Sequence, residues 1–245
     1  MAVFAARHGM SSKASGSMRA RAGLTLLALV ATAGHAAADS SDPAFTRSES
    51  FLGAHPDLDW RYHGIENYKS GHYAWALIDF HRAARFADKT SQAIMAQMYW
   101  NGDGVTADRV IAYVWADLAA ERGYPDFIAT REKFWSQLSD GERQAAIQAG
   151  PRLFSEYGDA VAKKREENEL RRALIGVTGS HTTHVGASMS SKRLVNGRWI
   201  DSDGASYWGE KYWTPEKYWR WQDRVWTQPP EGKVEVGPIQ TPPGH

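Results

Sequence analysis

The stretch from Ala93 to Gly123, AIMAQMYWNGDGVTADRVIAYVWADLAAERG, constrains this chain more than any other. Its spacing predicts two helices joined by a glycine-bearing loop. Met95, Ala96 and Tyr99 fall within one helical turn, and Ala96 is small enough for a second helix to approach closely. The first helix should end at Tyr99-Trp100-Asn101, where Gly102 and Gly104 supply positions that take positive φ without a Cβ clash. Val105, the apolar residue of the loop, is placed to plug the end of the helix pair. Asp108 is the expected N-cap of the second helix. There Ile111, Ala112, Trp115, Leu118 and Ala119 recur at three- and four-residue spacing and make one broad apolar face. Gly123 is the expected stop.

These residues resemble a Sel-1-like repeat, a relative of the tetratricopeptide repeat. The family pattern runs Leu-Gly, Tyr, Gly-x-Gly-Val, Asp, Ala, Trp, Ala-Ala and Gly. Tyr99, Gly102, Gly104, Val105, Asp108, Ala112, Trp115, Ala119, Ala120 and Gly123 stand at matching positions, while Met95 and Ala96 replace the usual Leu-Gly. An earlier segment, Gly71 to Ala84, resembles the second helix of a tetratricopeptide repeat. Ala83-Ala84 align with Ala119-Ala120 at an offset of 36, but Tyr68 aligns with Tyr99 at an offset of 31, so the earlier loop is five residues shorter. The resemblance implies an all-α fold, a short right-handed α/α solenoid of stacked helix pairs. It also implies a non-enzymatic scaffold that binds a protein or peptide partner, with no cofactor.

Residues 1–38 carry Arg7, Lys13, Arg19 and Arg21 and no acid, then an apolar run from Ala22 to Ala33 and the exit His35-Ala36-Ala37-Ala38. A basic start, a short apolar core and an Ala-x-Ala end predict a signal peptide cleaved after Ala38, and a periplasmic or secreted mature chain. Met10 and Met18 are alternative starts. The run is too short to span a hydrocarbon layer of about 30 Å. Zero cysteines exclude a lipid-anchoring cysteine, disulfides and a thiolate metal site, so no stable membrane anchor is expected after cleavage. Taking four basic residues from 29 leaves 25 against 28 acids, a net charge of −3, which does not favour nucleic acid. The expected partner lies in the cell envelope.

The remaining chain divides by pattern. Residues 39–54 are polar and aperiodic and read as a linker. Helical repeats are expected over 55–175. Leu58, Tyr62 and Ile65 share a face in the first helix, and Tyr68 to Gly71 end it. After Gly123, Pro125 opens a helix carrying Phe127, Ile128, Arg131, Phe134, Trp135 and Leu138. Ser139 to Glu142 form a capping box for a short helix ending at Gly150. Pro151 is then expected to open a longer one, with Leu153, Phe154, Tyr157 and Val161 closing the array. The run KKREENELRR reads as a solvated helix end, with Glu167 and Arg171 four apart, or as a projecting interaction helix. Residues 176–190 read as a second linker.

Six of 11 tryptophans lie in 191–228: Trp199, Trp208, Trp213, Trp219, Trp221 and Trp226. Asn196-Gly197 predicts a two-residue hairpin turn between Arg193–Val195 and Arg198–Ile200. Thr214-Pro215 opens a helix to about Trp226, and 229–245 has the composition of a disordered tail. The rings have two readings. They supply apolar area that docks this aromatic-rich C-terminal extension on the helices, or they form a sticky surface. In the second reading Trp208, Trp213, Trp219, Trp221 and Trp226 bind a partner, or peptidoglycan in an envelope-binding alternative. His181 and His184 lack a third metal ligand nearby. Asp103, Asp201 and Asp203 lack the later acid of a calcium loop. Neither a nucleophile elbow nor a phosphate loop is present, so no catalytic or metal residue is assigned.

Overall fold

The computed structural model describes residues 44–178, 191–195, 198–202 and 207–227. The described chain is mostly helical. A 3-10 turn at Ala44–Arg47 precedes α1 (Glu49–Leu52), α2 (Pro56–Lys69), α3 (Tyr73–Ala84), α4 (Lys89–Asn101) and α5 (Arg109–Ala119). Then follow α6 (Pro125–Gln137), α7 (Asp140–Tyr157), α8 (Asp159–Thr178), the strands β1 (Ser191–Val195) and β2 (Arg198–Ser202), α9 (Glu210–Trp213) and α10 (Pro215–Thr227). The strands pair antiparallel with Val195 opposite Arg198.

Neighbours in sequence are neighbours in space: α2 lies against α3, α3 against α4 and α4 against α5, while α5 also meets α6 and α7. Short connections between amphipathic helices leave antiparallel packing as the direct way to bury their faces. Where α2 crosses α3, a Cβ on Gly64 would come within 2.6 Å of the Phe80 ring, so the missing side chain sets how closely the helices approach. The core of this part gathers Tyr68, Phe80, Ile94, Met98, Trp115 and Phe134. The helix ends are set locally. Ile111 N–H donates to Asp108 Oδ1 at 3.0 Å, and Ser139 N–H donates to the Glu142 carboxylate at 2.8 Å in a complete capping box.

A second core forms where the N-terminal segment, α2, α8 and α9–α10 meet. Phe45, Phe51, Leu58, Leu170, Tyr212 and Tyr218 are buried together there. This corrects the reading of 39–54 as a linker: from Phe45 onward the segment supplies core rings. Phe45, Phe51 and Ala54 follow no helical period, which is why the pattern hides them.

Two further expectations change. The short helix ending at Gly150 and the new one opening at Pro151 are one continuous helix, α7, with Pro151 inside it. Proline costs a backbone bond and crowds the carbonyl four residues earlier. Packing on both sides overrides that cost: Ala146 is buried against Val114 and Leu138, and Leu153, Phe154 and Tyr157 pack on the first core. The charged run KKREENELRR lies within α8 and is not simply a solvated end. Ala162, Glu166 and Leu170, four residues apart, form a fully buried spine along it. Glu167 faces the core side, accepting the Trp219 indole N–H at 3.2 Å, and Arg171 bonds Asn168 instead of Glu167.

Candidate functional site

The residues of the repeat-like motif occupy structural positions. Ala112, Trp115, Ala119 and Ala120 are buried, and Tyr99 and Val105 pack at the edge of the first core. Gly102, Gly104 and Gly123 have φ of 79°, 71° and 77°. A Cβ at Gly104 would also meet the Tyr73 backbone at 2.5 Å, so this loop sits directly on the start of α3. Asp103 accepts bonds from Asn101 in the same turn and from Tyr68 of α2.

The C-terminal tryptophans fall mainly inside. Trp213, Trp219 and Trp221 are buried, Trp208 is half-buried against Trp213 at 4.9 Å, and Trp226 packs on Phe127 at 4.5 Å. In this arrangement three of the five rings expected as a partner or peptidoglycan surface lie in the interior. Trp213, Trp219 and Trp221 supply apolar area to the core, while Trp208 and Trp226 keep part of their surface in solvent. His181, His184 and Asp203 lie outside the described residues, and so do the side chain of Asp201 and the expected disordered tail.

Exposed apolar area lies on α3. Its inward residues Ala76, Phe80 and Ala83 pack on the core, while Trp75 is 64% exposed and Ile78, one turn on, is 42% exposed. At the edge of the same helix the Arg82 guanidinium lies 4.3 Å over the Trp60 ring and donates to Asp79 at 3.2 Å. Asn67 also donates to Asp79, at 2.8 Å. The result is a ring-and-aliphatic stripe bordered by fixed polar groups. Pattern reading alone missed it, although Trp75 and Ile78 stand off the Ala76/Phe80/Ala83 face at legible spacing.

A polar interior joins α10 to the helices beneath it. Lys89 is buried and donates to Leu118 O at 2.9 Å and to Glu121 at 2.7 Å. Arg122 grips Asp159 with two bonds, of 2.7 and 3.0 Å, and reaches Asp223 of α10 at 3.3 Å; Tyr124 O–H also donates to Asp223. Burial alone would raise the Asp159 carboxyl, but Arg122, Lys89 and Lys163 hold it well below the usual carboxylate range. Close by, Tyr218 O–H donates to Asp57 at 2.6 Å and Arg61 donates to Asp88 at 2.9 Å. A cavity of about 10 Å³, space for about one water, lies among Arg61, Asp88, Thr90, Arg122 and Gln222. Charged groups this enclosed clamp helices together; their chemistry faces inward.

Among the described residues, no group of three or more His, Cys, Asp and Glu is placed to hold a metal ion, and no helix is long and apolar enough to cross a membrane. Comparison with protein families, curated proteins and solved structures returns no match.

Proposed function

We propose that this chain is an exported, non-enzymatic scaffold that binds a protein or peptide partner of the cell envelope through the outer face of a short right-handed α/α solenoid. The observation that carries the reading is the exposed stripe on α3, where Trp75 and Ile78 stand in solvent although the core does not use them. Contiguous apolar area rimmed by polar groups marks contact surfaces, and tryptophan and arginine are the side chains that most often carry binding energy there.

The solenoid reading rests on the ten residues of the Sel-1-like pattern and on the seating of the Gly102–Val105 loop against the turn that opens α3. Export rests on the basic and apolar sequence of residues 1–38. A photo-crosslinking residue placed at position 75 or 78 of the full chain, expressed in its native envelope, should yield one defined adduct. The same residue at exposed Glu132 on α6 should not. Trp75→Ala with Ile78→Ala should lower recovery of that adduct about tenfold. Equal labelling from all three positions would overturn the assignment of the face. A mature chain that does not start near Asp39 would overturn the export reading.

A further inference from the structure

Beneath α10 lies a pair of acids that the binding surface does not use. Glu166 of α8 has no exposed surface and neither of its oxygens meets a donor at full hydrogen-bond geometry, the Asp57 backbone N–H being the donor that lies nearby. The group within hydrogen-bonding reach is Asp57 of α2, itself buried. Asp57 is already committed: Oδ1 accepts Leu58 N–H at 2.8 Å and Oδ2 accepts Tyr218 O–H at 2.6 Å. Two carboxylates cannot satisfy each other, whereas a carboxyl and a carboxylate can, because one proton supplies the missing donor.

The surrounding charges do not relieve the pair. On α2, Arg61 faces it, with Tyr62 beside Arg61, but the Arg61 guanidinium is bonded to Asp88, the N-cap of α4, and to Thr90. From α8, Glu169 adds negative charge. From α10, only the neutral Tyr218 phenol faces it. His55, the N-cap of α2, lies 5.2 Å from Tyr218 with the rings tilted, and burial pushes its pKa down to about 4, so it carries no charge near neutrality. Among the described groups facing the pair, Arg61 is the sole cation, and Asp88 already balances it. Two ionised acids here would be two uncompensated buried charges, a large penalty; one proton halves it.

We infer that Asp57 and Glu166 share a single proton and that this proton is a latch: it seats the C-terminal helix α10 on α2 and α8 at Tyr218, and its loss as pH rises loosens that end of α10. The carrying geometry is the contact of Tyr218 with Asp57 on one side and of Trp219 with Glu167, next to Glu166, on the other. Burial, with the neighbouring charge of Asp88, pushes Asp57 up to about 6. Burial and the Asp57 charge lift Glu166 well above the ordinary glutamate range. The two values belong to the pair as a unit. Both are raised in the folded state, so the stabilisation is complete at low pH and is lost as pH climbs through the folded-state values.

The test uses the full mature chain carrying 5-fluorotryptophan and carbon-labelled glutamate, swept from about pH 5 to about pH 9. The Glu166 carboxyl signal, assigned by its absence in Glu166→Gln, should remain protonated at neutral pH. It should lose its proton in step with a shift of the Trp219 and Trp221 fluorine signals. The opening constant of α10, from amide exchange corrected for intrinsic pH dependence, should rise by up to about tenfold per pH unit for one linked proton. In Glu166→Gln, whose amide donates at every pH, that rise should vanish. A Glu166 that ionises like an exposed glutamate, or tail signals that stay fixed while it titrates, overturns the latch. Should Glu166→Gln fail to fold, the slope of α10 opening in the unmodified chain decides: one linked proton supports the latch and zero overturns it.

Discussion

The two polar centres under α10 hold the same helix in opposite ways. At one, Arg122 binds Asp159 and Asp223, with Lys89 and Lys163 adding positive charge, so every acid has a cation. At the other, Asp57 and Glu166 face each other with no spare cation, and Tyr218 supplies the bond from α10 to the pair, with Trp219 bonded to Glu167 beside it. The difference teaches that burial does not fix the sign of a pH response; the partner does. The first centre strengthens when its acids are ionised and the second when one of its acids is not.

Breaking the first centre should have the largest effect. Arg122→Ala leaves Asp159 and Asp223 without their main partner, and losing one member of a buried pair costs about 3–5 kcal/mol. Urea denaturation followed by circular dichroism measures it. The second centre is weaker, since neutral donors, the Tyr218 phenol and the Trp219 indole, carry it. Tyr218→Phe should cost about 1–3 kcal/mol by the same method, the cost of leaving a buried acceptor unpaired.

The pH responses sharpen the contrast. Asp159 is depressed in the fold, so its contribution is present above the ordinary aspartate value of about 3.9 and is lost as pH falls below it. Denaturation midpoints taken down that range should fall for the unmodified chain and fall less for Arg122→Ala. Smallest of all, Trp75→Ala lies outside both centres on the open face of α3 and should change stability by no more than about 0.5 kcal/mol. That leaves it suited to separate binding from folding.

What was legible in the sequence was local. Asp108 as N-cap, the Ser139/Glu142 box, Pro125 in a first turn and the positive φ at Gly102, Gly104 and Gly123 all follow from interactions within a few residues. What escaped depended on distant partners. The bond between Asp57 and Tyr218 joins residues 161 apart in sequence. The same distance explains why the C-terminal rings read equally well as a surface or as core: their hosts Phe45, Phe51 and Leu170 lie far up the chain. Pro151 misled because packing on either side outweighed a local rule. Glu166 was visible only as one charge among many, yet its place between Ala162 and Leu170 at four-residue spacing was the available signal. For the candidate surface, composition pointed to the tryptophan-rich end, whereas exposure brings out Trp75, a ring standing with Tyr73 and Ile78 on the outer side of a helix whose other face is core.

The opposed behaviour of the two centres is tested most directly by the denaturation midpoint of the full chain as a function of pH, compared with that of Glu166→Gln. The unmodified chain should lose stability at both ends of the range, and Glu166→Gln should keep the acid loss while the alkaline loss flattens. An alkaline limb that is absent from the unmodified chain, or unchanged in Glu166→Gln, would contradict the account.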